Sequence, residues 1–212
     1  MQIIAHRGYW LTQEERNSRE AFSRAFRSGF GIETDIRDLD GEIVISHDLP
    51  SRDTSLPLAT ILADYIDAGC PGMLALNIKS DGLAAPLKAL LETYGAEQYF
   101  CFDMSVPDTF SYLRCEMPAA ARLSEYEPEG RLSEMLPVIW VDGFHSSQLS
   151  PECLAKWLFS GKQVCLVSPE LHRRDATSLW TLLQALPEYV LSHPDLMLCT
   201  DNPLEAQRIF NQ

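Results

Sequence analysis

The sequence predicts an α/β fold, a single (β/α)8 TIM barrel over residues 1–212, and three observations predict it. Strand-like and helix-like stretches alternate along the whole chain. The length of 212 residues is that of one domain and lies near the floor for such a barrel, about 200 residues against a typical ~250. Polar residues with chemical potential stand where short apolar runs end, the place where barrels and open α/β sheets build their sites.

In order, strands are expected at 2–6, 32–36, 43–47, 73–79, 98–102, 119–123, 137–141, 163–168 and 196–200. The 43–47 run is read as an extension pairing with the end of the second strand, which leaves eight βα units. Helices are expected at 18–28, 57–68, 82–94, 106–114, 151–159, 177–186 and 203–211, with a short one at 131–136. The first carries the clearest signals. Asn17 is placed as its cap, with Glu20 three residues on as in a capping box. Ala21, Phe22, Ala25 and Phe26 form its apolar stripe, and Gly29 ends it. Pro57, Pro107, Pro151 and Pro203 fall at or near helix starts, where proline is tolerated. No internal repeat, low-complexity segment or linker is visible.

Composition narrows the function. Seventeen basic residues face thirty acidic ones, a net charge of −13, which argues against nucleic acid and against a basic membrane-binding patch. Of the six cysteines, none forms a C-x-x-C pair. Cys101, Cys165 and Cys199 sit inside apolar runs as small hydrophobes, so a reduced, cytoplasmic chain is expected. With His6 so close to Met1, no signal peptide is expected, and no apolar run reaches the length of a membrane span.

The chemistry concentrates in the first 48 residues. Ile3-Ile4-Ala5 leads into His6-Arg7-Gly8, Ile32 and Ile36 bracket Glu33 and Asp35, and Ile43-Val44-Ile45 leads toward His47-Asp48. Side chains at i and i+2 share one face of a strand. Glu33 and Asp35 would therefore be neighbouring carboxylates, costly to bury unless one protonates or a hard cation such as Mg²⁺ or Ca²⁺ joins them. An acidic face turned to water explains the triplet equally well in isolation; the surrounding His6, Arg7 and His47 favour a site. A phosphodiester would suit this set. Arg7 can grip phosphate with its planar fork and Lys79 adds a point charge, while His6 and His47 can act as base and acid, the usual work of an imidazole.

The run His6-Arg7-Gly8, Asn17-Ser18, Ala21-Phe22, Glu33-x-Asp35, Asp40-Gly41, His47-Asp48 resembles the glycerophosphodiester phosphodiesterases, in the superfamily that includes phosphatidylinositol-specific phospholipases C. Asn77-Ile78-Lys79 and Thr200-Asp201-Asn202-Pro203 match more faintly. The resemblance implies a metal-dependent phosphoric diester hydrolase of lipid metabolism. It implies one divalent cation on Glu33, Asp35 and the position of Asn77, acid–base work by His6 and His47, and phosphate binding by Arg7 and Lys79. It also implies attack by a neighbouring substrate hydroxyl through a cyclic phosphate.

Two positions depart from that pattern. Asn77 stands where the family has an acidic third ligand, so the cation is expected to bind more weakly or to borrow a carboxylate from Glu125, Asp142 or Glu170. Arg16 stands where the family usually has glutamate. The stretch from His47 to Asn77 is too short for the inserted subdomain of the family, so an open pocket is expected. The ligand would be a small-molecule or lipid-head-group phosphodiester, with Glu125, Glu170 and His172 as possible rim contacts. His145 is read as loop surface, and His193 is placed at the opposite end of the barrel. A catalytically impaired barrel that binds a phosphorylated ligand is the alternative. An amide or ester hydrolase is disfavoured because no H-x-H appears on a strand.

Overall fold

The computed structural model describes residues 1–146 and 149–211. In chain order its first half contains β1 (Gln2–His6), α1 (Arg19–Arg27), β2 (Gly31–Leu39), β3 (Glu42–Ile45), β4 (Leu56–Pro57), α2 (Leu58–Asp67), β5 (Leu74–Ile78), α3 (Ala84–Tyr94), β6 (Tyr99–Phe102) and α4 (Val106–Arg114). Then follow β7 (Ala120–Leu123), α5 (Arg131–Met135), β8 (Val138–Val141), α6 (Pro151–Phe159), β9 (Gln163–Val167), α7 (Thr177–Gln184), α8 (Glu188–Leu191), β10 (Leu196–Thr200) and α9 (Pro203–Phe210). Single 3-10 turns cover Gln13–Glu15 and Pro169–His172.

Hydrogen-bonded parallel neighbours run β6–β5–β2–β1–β10–β9–β8–β7. The two ends of this series meet at one parallel bridge, Cys101 to Ala119, where the Cys101 N–H donates to Pro118 O over 2.9 Å. As expected, residues after the second strand fold back on it: β3 pairs antiparallel with the end of β2, Ile36 opposite Ile45.

Strand alternation sorts the core into two layers. Ile4, Phe100, Phe102, Trp140, Cys165 and Cys199 pack together on the inner face. There Phe102 and Trp140 stack with centroids 4.0 Å apart. Ile3, Ala5, Ile32 and Leu76 turn outward against the helices, whose stripes supply Phe22, Phe26, Leu62, Tyr65 and Leu87.

Three sequence expectations need correction. Ser18, not Asn17, caps α1, its Oγ accepting from the Ala21 N–H at 3.2 Å. Asn17 instead adopts φ 57° and sends its amide to a carboxylate on β2. Residues 56–57 form a short strand against β3 before α2 starts at Leu58, because their backbone completes the β3 edge. The helix α8 was not expected; the Pro187 carbonyl nucleates it, accepting from Val190 and Leu191.

Candidate active site

Parity along the strands decides what reaches the mouth. His6 lies two residues beyond inward-facing Ile4, Asn77 and Lys79 follow Ala75, Arg122 follows Ala120, Asp142 follows Trp140, and Asp201 follows Cys199. Outward Ile32 leaves Glu33 and Asp35 facing inward. Cross-strand register then sets neighbours: His6 is opposite Glu33, and Asp35 opposite Asn77.

The loop after β1 is held by left-handed residues. Arg7 (φ 56°) donates its N–H to Glu33 O at 3.0 Å, and its own carbonyl accepts from Asn17 N–H at 2.9 Å. Gly8 (φ 86°) packs so tightly on α1 that a Cβ there would lie 2.8 Å from the Ala21 Cβ. Glycine alone permits this approach.

Glu33 and Asp35 are buried, 2% and 0% exposed. Arg7 Nε lies 3.1 Å from Asp35 Oδ2, Lys79 Nζ 3.3 Å from Asp35 Oδ1, and Asn17 Nδ2 donates to Asp35 Oδ2 at 2.9 Å. Thr34 in turn fixes Asn17 through its Oδ1 (2.9 Å). Burial opposes ionisation of Asp35, but Arg7, Lys79 and the Asn17 amide outweigh it and hold its carboxyl below the usual range. Glu33 has no such clamp. Burial first and the Asp35 charge second push it up to about 7. One carboxylate of the pair is thus kept ionised and the other stands near its titration point at neutrality.

His6 Nδ1 lies 2.7 Å from Asp201 Oδ1, and its Nε2 3.7 Å from Glu33 Oε2. Asp201 is fixed from three sides. Its Oδ2 accepts from Arg16 (3.2 Å), its N–H donates to Glu170 Oε1 (3.2 Å), and Glu170 also binds Thr200 and Ser168. Arg16 stacks over Trp10, 4.3 Å to the ring centroid. His47 is half exposed at the edge of the mouth, its Nδ1 2.9 Å from Asp48 Oδ1. Arg37 binds the His47 and Lys79 carbonyls and ties those two segments together.

The side chains here that could offer oxygens to a hard cation are Glu33, Asp35 and Asn77. Asn77 is 8% exposed, and its Oδ1 is buried without a hydrogen-bond partner, while Asp35 Oδ1 is met by the Lys79 ammonium at 3.3 Å. The orphaned Asn77 carbonyl oxygen fits an oxygen-seeking ion. Among the described residues no group of three His, Cys, Asp or Glu side chains is arranged to hold a metal, so the set depends on the neutral Asn77 carbonyl. The suggested substitutes are engaged elsewhere. Glu125 accepts from the backbone N–H groups of Phe144, His145 and Ser146, Asp142 pairs with His172, and Glu170 supports Asp201.

Sequence reasoning passed over Asp201, Asn17 and Arg37 as site residues. Asp201 carried a usable signal: an acid just past the apolar run 196–200, at a strand end like the others. Asn17 stood in the run that carries the family resemblance but was read there as a helix cap, and Arg37 gave no signal, since its role depends on partners fixed by the fold.

No family model matches the chain, and no curated protein matches it significantly. Solved structures do. A glycerophosphodiester phosphodiesterase from Agrobacterium tumefaciens is 14% identical with a TM-score of 0.70, the match covering 100% of both chains. An Oleispira antarctica phosphodiesterase, in complex with the product sn-glycerol-3-phosphate, is 18% identical with a TM-score of 0.64, covering 100% of this chain and 97% of that one. A protein from Galdieria sulphuraria assigned to the same enzyme class is 16% identical, TM-score 0.75, covering 100% and 98%. At such identities the likeness is one of architecture, and the chain therefore has the fold of the glycerophosphodiester phosphodiesterases over its whole length.

Proposed function

We propose that this chain is a metal-dependent phosphoric diester hydrolase of the glycerophosphodiester phosphodiesterase type, built on a closed (β/α)8 barrel without an inserted subdomain. One observation carries the reading: a buried Glu33–Asp35 pair on the inner face of β2, flanked by His6, Arg7 and Lys79. The motif spacing of the first 48 residues and the fold shared with phosphodiesterases support it.

Glu33, Asp35 and Asn77 Oδ1 would hold one Mg²⁺ or Ca²⁺, which supplies Lewis-acid polarisation of a phosphoryl oxygen when bound. Arg7 and Lys79 neutralise the phosphate and fix its orientation. Both already pair with Asp35, so the phosphate joins a prepared cationic pair. His6, its Nδ1 fixed by Asp201, directs Nε2 to the proton of the attacking substrate hydroxyl. His47, half exposed at the edge of the mouth, supplies the proton to the leaving oxygen. The ligand is a small-molecule or lipid-head-group phosphodiester. Nucleic acid is disfavoured by the −13 charge, and six free cysteines suit a cytoplasmic setting. Among the described residues no helix is long and apolar enough to cross a membrane.

The test is hydrolysis of glycerophosphocholine, whose free glycerol hydroxyl can make the attack, with and without chelator, beside calorimetric titration of Mg²⁺, Ca²⁺ and Mn²⁺. Turnover lost with chelator and restored by one cation is expected. Turnover indifferent to chelator, or no cation binding, overturns the metal assignment. Asn77, in place of an acid, favours a second reading: a barrel that binds a phosphorylated ligand without turning it over. Ligand binding in the absence of hydrolysis would select it.

A further inference from the structure

Strand β2 carries a third side chain in the column of the carboxylate pair. Glu33, Asp35 and Arg37 alternate along it, so Arg37 stands next in line toward the strand end. There β2 pairs antiparallel with β3, Ile36 opposite Ile45 and Arg37 opposite Val44. The return brings the chain back past Asp35, whose carbonyl accepts from the Ser46 N–H at 3.0 Å, and delivers His47 to the edge of the mouth. Arg37 meets it. Its Nε and Nη2 donate to the His47 carbonyl at 3.3 and 3.1 Å, and its Nη1 donates to the Lys79 carbonyl at 3.2 Å. One planar fork thus holds the backbone of two residues, one following β3 and the other following β5.

The two do not depend on it equally. The Lys79 N–H also donates to Ile36 O at 2.9 Å, directly after the run in which β5 pairs with β2, so Lys79 is anchored without Arg37. Among the described residues the His47 backbone makes no hydrogen bond except those from Arg37. The His47 side chain is 49% exposed, and its ring bonds to Asp48, whose own side chain is 93% exposed. A neighbour in sequence moves with His47 and cannot fix it. The guanidinium is therefore the link between His47 and the rigid strands.

We infer that Arg37 is a positioning residue for proton delivery: it holds His47 where the leaving oxygen departs and sets that residue against Lys79 and the phosphate. The inference rests on the phosphodiesterase reading above. In that reaction the oxygen of the substrate hydroxyl bonds to phosphorus as its proton passes to His6. The bond from phosphorus to the leaving alcohol breaks, its electron pair stays on the alcohol oxygen, and that oxygen takes a proton from His47. An alkyl alkoxide is a poor leaving group and needs the proton, because a donor must reach the oxygen it serves. A 4-nitrophenolate is stable as the anion and departs without one. Misplacement of His47 is then felt by alkyl esters and not by the aryl ester.

The experiment compares kcat and KM for glycerophosphocholine and glycerol 3-(4-nitrophenyl phosphate), both with a free glycerol hydroxyl, in the presence of the cation that supports wild-type turnover. The variants are Arg37→Met, Arg37→Lys, His47→Ala and the double variant Arg37→Met with His47→Ala, and circular dichroism checks folding. In Arg37→Met, kcat for the choline ester should fall about 10²-fold, the scale of a misplaced group. The aryl ester should lose less than about threefold, and KM should stay within about threefold for both. Arg37→Lys, whose single ammonium lacks the fork, should show the same pattern more weakly. The double variant should be within about twofold of His47→Ala alone, because Arg37 acts through His47. Equal losses on the two esters, a loss carried by KM, or a double variant about tenfold slower than His47→Ala overturns the inference. A leaving-group difference in His47→Ala with wild-type rates in both folded Arg37 variants would discard Arg37 and keep the phosphodiesterase. Hydrolysis of neither ester by the wild type would remove that reading and this inference together.

Discussion

Asn77 concentrates the question of activity in one side chain. It is buried beside Asp35 and its Oδ1 has no partner, so a carboxylate placed there would meet the proposed cation directly. Asn77→Glu should tighten Mg²⁺ or Ca²⁺ binding about tenfold by calorimetry, since a charged oxygen replaces a neutral one; weaker binding in the folded variant would mean another group fills that position. His6→Ala and His47→Ala should each lower turnover by about 10²–10⁴-fold while the fold survives, as both residues lie at the mouth and not in the core. Wild-type rates in both folded variants would end the acid–base assignment. That these residues gather was readable because His6, Glu33, Asp35 and His47 stand beside or at the ends of apolar runs in one stretch of chain. Asp201, which lies 2.7 Å from His6, is 195 positions away (201 − 6) and could be joined to it only by the pairing of β1 with β10.

At the scale of single elements, the turn after β1 is the most constrained. Gly8→Ala would force a Cβ to within 2.9 Å of the Ala21 carbonyl carbon at a left-handed φ, so destabilisation of about 2 kcal/mol or more is expected in urea unfolding. A change under half a kcal/mol would show that α1 can yield. The loop after β8 depends on one acid. The backbone N–H groups of Ser146, His145 and Phe144 hold the Glu125 carboxyl at about 2, below its usual value near 4.5. A depressed acid stabilises above its unfolded value and loses that contribution as pH falls through the folded one. The protection factors of the amides at residues 144–146, taken relative to intrinsic exchange at each pH, should therefore fall as pH drops from about 4.5 to 2, and be reduced at neutral pH in Glu125→Gln. Equal protection in the variant would release the loop from Glu125. The start of α1 shows why local reading fails here. Asn17 and Ser18 are both good caps, and nothing nearby chooses between them. The choice is made by Asp35, which draws Asn17 away. β4, two residues long, has too little pattern to register at all.

For the molecule as a whole, alternation of strand and helix patterns made the eight parallel strands and the antiparallel extension β3 legible. Alternation could not show how well the strands are joined. Among the described residues every neighbouring pair in the series shares a run of backbone hydrogen bonds, while β6 and β7 at its two ends share one bridge. The Phe102–Trp140 stack reaches over that join from inside, with one ring from β6 and the other from β8. Sheared or warmed, a hoop parts where its rivets are fewest. This one should gape along the Cys101–Ala119 line, with Trp140 fluorescence shifting to the red before the far-ultraviolet helix signal declines. The Arg122–Asp103 ion pair, 3.2 Å long, crosses that same line with Asp103 on one bank and Arg122 on the other. It acts there as a clasp, and its removal in Asp103→Asn should bring the fluorescence shift to lower temperature.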